Sequence, residues 1–232
     1  MTIKLRSPIP RKRPRLHAPP AFHIAEAIFL PEHSATKISF ARVAARRRSR
    51  RDFGDGLNAV QLGKLLSLAV RSRETKPLDG HPDWESRPYP SAGGCHEIDI
   101  LALNVSGHAD AAFVYDARHH ALGMLASVPA GTIRQLLGQV RDVVPIGDAT
   151  VLWFIADSAK LAARYRFFES LMWRDGGALL ASLSFAAAAL NYSGCPIGIH
   201  APPAMKVILR DYPSIHGIGG YVVARPALSQ RR

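Results

Sequence analysis

Cysteine is nearly absent: the 232 residues hold two, Cys95 and Cys195. Two cysteines make no disulfide framework, and no CxxC or Cys/His spacing of the kind that holds zinc is present. A reducing compartment, the cytoplasm, is the expectation. Long apolar runs are also missing. The longest apolar helical stretch, Gly176 to Leu190, is too short to span a bilayer and is rich in small residues, so it reads as a buried helix. The basic, Pro-rich start of the chain has no apolar h-region, so neither a secretory signal nor a membrane partner is expected. No internal repeat is evident.

Acid is missing from two segments, and there the charge is decided. Residues 1–20 contain Lys4, Arg6, Arg11, Lys12, Arg13 and Arg15; residues 42–51 contain Arg42, Arg46, Arg47, Arg48, Arg50 and Arg51. Together they carry all of the net charge of +12, and the rest of the chain is balanced. The basicity is therefore local. It suits anionic partners: nucleic acid, headgroups, a phosphate-bearing cofactor or an acidic peptide. What is plentiful is core-forming material. Hydrophobic residues make up 47% and charged residues 21%, enough for one sizeable folded domain.

Along the chain, five prolines among the basic residues of 1–20 predict an extended, mobile arm, ending by residue 34. Residues 35–46 read as a helix that Ser34 or Thr36 caps. Asn58 is a plausible N-cap for a second helix to Val70, with Leu62, Leu65, Leu66 and Ala69 at helical spacing. Residues 71–90 are polar and Pro-rich and read as a loop. Glu97 to Val105 alternates as a strand, and Phe113 to Asp116 is another. Pro129 to Arg141 is helical. Thr150 to Ala156 is a continuous apolar run typical of a buried strand. Ala159 to Tyr192 reads as mostly helical, and Tyr221 to Ala224 as a last strand that Gly217 to Gly220 precede. Helices and strands alternate without βαβ regularity, which favours α+β.

Three segments bear chemistry. Arg47-Arg48-Ser49-Arg50-Arg51-Asp52-Phe53 offers guanidiniums and a hydroxyl at a helix end, donors that match phosphate oxygens. The same run also suits a solvated basic patch or a nucleic-acid surface. Pro88 to Glu97, with Pro90, Ser91, Ala92, Gly93 and Gly94, lets backbone N–H groups approach a ligand, or is an ordinary turn. The small-residue helix from Gly176 to Leu190 leads into Cys195-Pro196-Ile197-Gly198; it permits close approach of a flat ring or another helix, or is plain core.

In this order and spacing the segments resemble the nitroreductase superfamily: an Arg-x-Ser-x-Arg motif (Arg47, Ser49, Arg51), a Pro-Ser loop before a strand, a long helix ending in Cys-Pro-x-Gly, and a closing strand with Arg225 before Pro226. The resemblance spans residues 40–226. Within it, Pro90 to Ile98, Val114-Tyr115-Asp116 with His120-Ala121-Leu122, and Arg174-Asp175-Gly176-Gly177 are similar to the SagB/ThcOx-type dehydrogenases, which oxidise azoline rings in modified peptides.

The resemblance implies a nitroreductase-like α+β fold, with a mixed or antiparallel sheet flanked by helices over residues 35–232, in an intertwined homodimer that binds FMN with both protomers contributing. It implies that Arg47, Arg48, Ser49, Arg51 and Arg225 hold the phosphate and ribityl end. Pro90, Ser91, Ala92, Gly93 and Gly94 would line the isoalloxazine, and Pro196, Ile197 and Gly198 its N5 side. The implied reaction is hydride transfer to flavin N5 from a thiazoline- or oxazoline-type ring, with oxygen reoxidising the flavin. The peptide substrate implies a biosynthetic partner enzyme. An NAD(P)H-dependent nitroreductase or a cyclic-dipeptide oxidase is the alternative, and a non-catalytic basic binding module is a second. The branch carries a Lys-Tyr pair ahead of its long helix, where this chain has Arg164-Tyr165. An arginine is effectively never deprotonated, so Tyr165 is the candidate catalytic group. His96, which follows the presumed flavin loop, is the leading histidine candidate for acid–base work, with His200 second and His119 and His120 behind.

Overall fold

The computed structural model describes residues 6–32, 37–78, 83–200 and 203–227. Eleven strands and six helices occupy these residues. The strands are β1 (Ile9–Pro10), β2 (Ile24–Phe29), β3 (Glu74–Lys76), β4 (Trp84–Ser86), β5 (Ile98–Val105), β6 (His108–Asp116), β7 (Ala121–Leu125), β8 (Thr150–Asp157), β9 (Tyr165–Arg166), β10 (Ser193–Ile197) and β11 (Ile215–Ala224). The helices are α1 (Phe40–Arg46), α2 (Ala59–Ala69), α3 (Thr132–Arg141), α4 (Ser158–Arg164), α5 (Glu169–Ala189) and α6 (Pro203–Ile208).

One seven-stranded sheet in the order β10-β11-β8-β5-β6-β7-β2 organises the fold, and every neighbouring pair is antiparallel. β8 is buried along its whole length, as its unbroken apolar run requires. Alternation then sorts the strands onto two faces. Ile98, Ile100, Ala102, Phe113 and Leu122 pack under α2 and α5. Leu101, Leu103, Val114, Trp153 and Ile155 pack under α3 and α6. The result is three layers with a core on either side of the sheet.

The local signals explain the elements. Asn58 accepts from the Gln61 backbone N–H at 3.0 Å and Gln61 returns the bond at 3.1 Å, a reciprocal cap that starts α2. Leu62, Leu65, Leu66 and Ala69 then bury its inner face. β11 begins earlier than expected. Its glycines lie inside the strand, and Gly219, at φ +108, sits in the irregularity between Gly217 and Gly220.

Four expectations need correction. Ser39 caps α1, accepting from the Arg42 N–H at 3.4 Å; Ser34 and Thr36 lie outside the described residues. The 71–90 segment is not all loop: β3 and β4 pair as a hairpin, with the Lys76 ammonium 5.0 Å from the Trp84 ring centre. The long helical reading is interrupted, because α4 stops at Arg164 and β9 and a left-handed Phe167 (φ +57) come before α5. The N-terminal segment is extended, as its prolines demand, but it is docked. β1 pairs with β9, and β2 forms an edge strand against β7. The Arg11 and Arg15 N–H groups donate to the carbonyls of Arg164 and Ala163 at 2.8 and 3.0 Å. Thus the sheet includes residues from the segment before residue 35.

Candidate functional site

Two separate clusters take up the residues that the motifs single out. The first is a cleft of about 930 Å³ between the segment after α1, the C-terminal half of α5 and the end of β11. Arg46, Arg48, Arg50 and Arg225 line it, with Ala187, Ala188 and Tyr221 as small or flat walls, and no acid is among the lining residues. Arg50 is held by Asp52 through contacts of 3.1 and 2.6 Å, and Asp52 also accepts from the Ser193 hydroxyl at 3.0 Å. These bonds hold the Asp52 carboxyl below its ordinary pKa, the Arg50 hydrogen bond contributing most. Arg225 pairs with Asp55. Arg46 and Arg48 form no ion pair among the described residues, so two guanidiniums face the cleft uncompensated.

Of the residues expected at the phosphate and ribityl end, Arg48 and Arg225 line this cleft. Arg47, Ser49 and Arg51 are not in the cleft lining, although the Arg47 charge acts on Tyr221 in its wall; Arg46 and Arg50 line it as well. Arg46 is the last residue of α1, and the run past it has left the helix. Sequence reading had no way to know which set would face inward.

The second cluster is built on the Pro90–Gly94 loop and the other end of α5. The Ser91 hydroxyl donates to Asp175 Oδ2 at 2.7 Å and lies 3.3 Å from Glu97 Oε2. The Ala92 N–H donates to Asp175 Oδ2 at 2.7 Å, and the His96 N–H donates to Ser91 Oγ at 2.9 Å. Burial, with Asp175 as its close neighbour, pushes the Glu97 carboxyl up to about 8. It is therefore held toward its protonated form, and Asp175 Oδ2 accepts from the loop. Gly93 has φ +59, and a Cβ there would stand 2.6 Å from Tyr165 Oη. Arg164 donates to the Gly93 carbonyl, so α4 and β9 clamp the loop from outside. The phenol of Tyr165 titrates above its ordinary range because it is partly buried beside Cys95, so it holds its proton at neutral pH.

His96 lies beneath this loop, 3% exposed, edge-on to Tyr89 at 4.9 Å between ring centres. Burial, helped by Arg87, pushes its pKa down to about 3. It is a neutral packing group in this chain and is not presented to an external ligand. His120 is buried against the Tyr115 hydroxyl at 2.8 Å, and His119 pairs with Asp116 at the surface. His200 lies edge-on to Trp173, 6.3 Å between ring centres, at the Asp175 end of α5.

β10 spans the gap between the clusters. Ser193 at its start binds Asp52 in the basic cleft, while Gly198 after its end is exposed, with open space where a Cβ would project. Pro196 is half-buried and Ile197 buried beneath it. Asp175 and Ala187 are twelve residues apart on one helix, about 18 Å at 1.5 Å per residue. Asp175, Glu97, Arg46, Arg50 and Tyr221 were not among the expected site residues. Asp175 stood inside the quoted Arg174–Gly177 motif, and only its contact with Ser91 reveals its part.

Comparison with known proteins fits this geometry. Residues 44–218 match the Nitroreductase family, and the chain belongs to that family. A protein of Ralstonia eutropha designated a nitroreductase superposes with a TM-score of 0.64 at 20% identity, covering 93% of this chain and 98% of that one. A chain of the Escherichia coli microcin synthetase McbBCD complex with truncated pro-MccB17 bound gives 0.58 at 17% identity, over 86% of this chain and 77% of that one. A protein of Anabaena variabilis, also designated a nitroreductase, gives 0.61 at 20% identity; 90% of this chain corresponds to 45% of that longer one. A search of curated protein sequences gives no match. The neighbours share the nitroreductase-like α+β fold. Among the described residues no helix is long and apolar enough to cross a membrane.

Proposed function

We propose that this chain is an FMN-dependent oxidoreductase, a dehydrogenase that oxidises a thiazoline- or oxazoline-type ring in a modified peptide, acting as a homodimer. One observation carries the cofactor reading: the phosphate-type cradle and the ring-type loop sit at opposite ends of α5 in one chain. Two half-sites that far apart suit a flavin shared between protomers, the cradle of one facing the loop of the other.

The outer face of α5 supports the pairing. Trp173, Gly177, Ala181 and Phe185 follow at intervals of four. Trp173 is 51% exposed, Gly177 has open space at its Cβ position, and Phe185 stacks on Phe40, itself 70% exposed. Apolar and small residues in one stripe are what a second helix packs against.

The residues present fit FMN. Arg46, Arg48 and Arg225 would hold the phosphate, Ala187 and Ala188 leave room beside it, and Ser91 to Gly94 would lie along the ring, with Gly198 on its other side. Bound FMN supplies hydride acceptance at N5 and passes the electrons on to oxygen. The chain's own part is to fix the loop. Asp175 ties Ser91 and Ala92 down, Arg164 holds the Gly93 carbonyl, and Tyr165 presents a protonated hydroxyl at the loop surface. The microcin synthetase neighbour holds a peptide precursor within a multi-protein complex. That supports a peptide substrate and a partner enzyme here.

A second reading has its own observation. Arg164 replaces the branch's lysine, and neither it nor the protonated Tyr165 accepts a proton near neutral pH. That favours an enzyme whose flavin is reduced by NAD(P)H, as in a nitroreductase.

The visible spectrum of the purified protein tests both, with the chromophore identified after heat release. Stoichiometric FMN bleached by an azoline peptide under anaerobic conditions is the expected result. Bleaching by NAD(P)H alone would establish the second reading. A colourless protein that takes up no FMN, and binds random DNA in a salt-sensitive way, would replace both with a basic binding module.

A further inference from the structure

A second cavity, of about 650 Å³, lies on the α3/α6 face of the sheet; its charged wall borders the loop cluster through Lys160, whose ammonium donates to the His96 carbonyl at 3.2 Å. Its floor is sheet: Val114 on β6, Gly123 on β7 and Ala27 on β2. These share a face because Val114 pairs with Gly123 and Gly123 with Ala27. Its roof is the N-terminal segment, through Pro19, Pro20 and Phe22. That roof is pinned at both ends. His17 binds Asp157 at 2.6 Å with both side chains almost fully enclosed, and the Phe22 ring lies 4.8 Å from that of Tyr212. The volume is in the range of small-molecule sites, and the mixed apolar and charged wall has their character.

Charge pairing in the wall leaves one group over. Glu85 is bound by Arg87 at 2.8 Å and Arg118 at 2.9 Å, with Lys160 at 4.0 Å. Asp83 is bound by Arg118 at 3.0 Å. Asp116 is held by His119 and by the N–H groups of Arg118 and His119. Asp99, opposite Ile155 and two residues from Leu101, points to the same face and lines the cavity. Among the described residues its carboxyl makes no hydrogen bond and no ion pair.

Four lining carboxyls (Asp83, Glu85, Asp99, Asp116) face three permanent cations (Arg87, Arg118, Lys160), while His17 is answered by Asp157 outside the lining. Enclosure pushes the Asp99 carboxyl toward its protonated form, against the pull of Arg87 and Lys160. A half-buried carboxyl without a hydrogen-bond partner is costly, and an incoming cation with N–H donors would bond it and draw it to its ionised form, which the fourth carboxyl of the wall needs a positive charge to balance.

We propose that this cavity binds a small monocationic amine with an apolar body, its ammonium on Asp99 and its body between Phe22 and the Val114–Gly123 floor. The geometry gives each part of such a ligand a place. The ammonium donates to Asp99. A ring or short chain covers the sheet floor, and the proline and phenylalanine segment packs over it.

The test is calorimetric titration of the full-length, FMN-saturated protein with benzylamine and with benzyl alcohol, its uncharged counterpart. Benzylamine is expected to bind at least about tenfold more tightly, the value of a charged hydrogen bond. Asp99→Asn, close in shape and replacing a group that makes no bonds, should bring benzylamine down to the level of the alcohol. Ala27→Phe, a filling substitution on an edge strand, should abolish binding of both, and it keeps the test open if Asp99→Asn does not fold. Equal binding of the two probes, no binding of benzylamine, or benzylamine affinity unchanged in either variant would overturn the proposal. So would weaker benzylamine binding with FMN present than without it, which would place the amine in the flavin cradle.

Discussion

Gly93→Ala tests how Tyr165 packs against the Pro90–Gly94 loop. Gly93 lies at φ +59, where an L side chain costs about 1–2 kcal/mol. The added Cβ would also stand 2.6 Å from Tyr165 Oη and 3.1 Å from Arg164 Nη1, against 3.7 Å from the ring carbon bearing that hydroxyl. A contact of this kind forces a shift, and overpacking costs about 1–3 kcal/mol. Urea unfolding should therefore show Gly93→Ala destabilised by about 2–5 kcal/mol. The two contributions can be separated. Tyr165→Phe removes the oxygen and leaves the ring carbon at 3.7 Å, with Arg164 Nη1 still at 3.1 Å. In that background Gly93→Ala should cost less than in the parent, keeping the backbone part of about 1–2 kcal/mol, and the cycle should show a coupling of about 1 kcal/mol or more. A single variant within about 0.5 kcal/mol of the parent, or a double-mutant cycle with no coupling, would refute the placement of Tyr165 over the loop.

Four further outcomes are expected. Arg46→Ala and Arg48→Ala should each weaken FMN binding by about tenfold to a hundredfold in a fluorescence titration, with the melting temperature of the flavin-free protein unchanged; unaltered affinity would remove the cleft from the cofactor site. Glu97 titrates at about 8 in the fold against an ordinary 4.5, so between those values the folded protein keeps a proton that the unfolded chain has lost. Stability therefore falls as pH rises through that window, by up to about 1.4 kcal/mol per unit, and Glu97→Gln should flatten the slope in urea titrations across it. His96 behaves in the opposite sense: depressed from 6.5 to about 3, it withdraws stability as pH falls between them, and His96→Asn should lessen acid unfolding there. Gly177→Glu, on the outer stripe of α5, should turn a dimer into a monomer in light scattering; an unchanged dimer would place the interface elsewhere.

Much of the fold was legible where the signal is local. Asn58 with Leu62, Leu65, Leu66 and Ala69 announced α2, and its cap and buried face follow that pattern. The unbroken run Thr150 to Ala156 announced a fully buried strand, and β8 is one. What was not legible depends on partners far away in the chain. β9 is two residues long and exists because Ile9 and Pro10 lie beside it, so no periodicity could mark it. Likewise, prolines set the N-terminal segment extended, but its docking rests on bonds such as His17 to Asp157, 140 positions apart. The β3–β4 hairpin arises from pairing across residues whose polarity alone reads as loop.

The site divides along the same line. Residue types and order were enough to mark the basic run and the glycine-rich loop, because the chemistry of phosphate and of close backbone approach is written in composition. Orientation was not. Arg46 ends α1, Arg48 and Arg50 follow it, and the Arg50 N–H donates to the Gly194 carbonyl at 2.8 Å, tying the run to β10. Nor could spacing show that Ser91 belongs with Asp175, 84 positions away, rather than with the arginines nearer in sequence. That pairing commits the loop to the N-terminal end of α5, as Ser193 and Asp52 commit the arginines to its other end. A rigid helix then separates the two ends by about 18 Å in a single chain. If both serve one flavin, the second chain is part of the active site, and variants that break the dimer should lose FMN along with it.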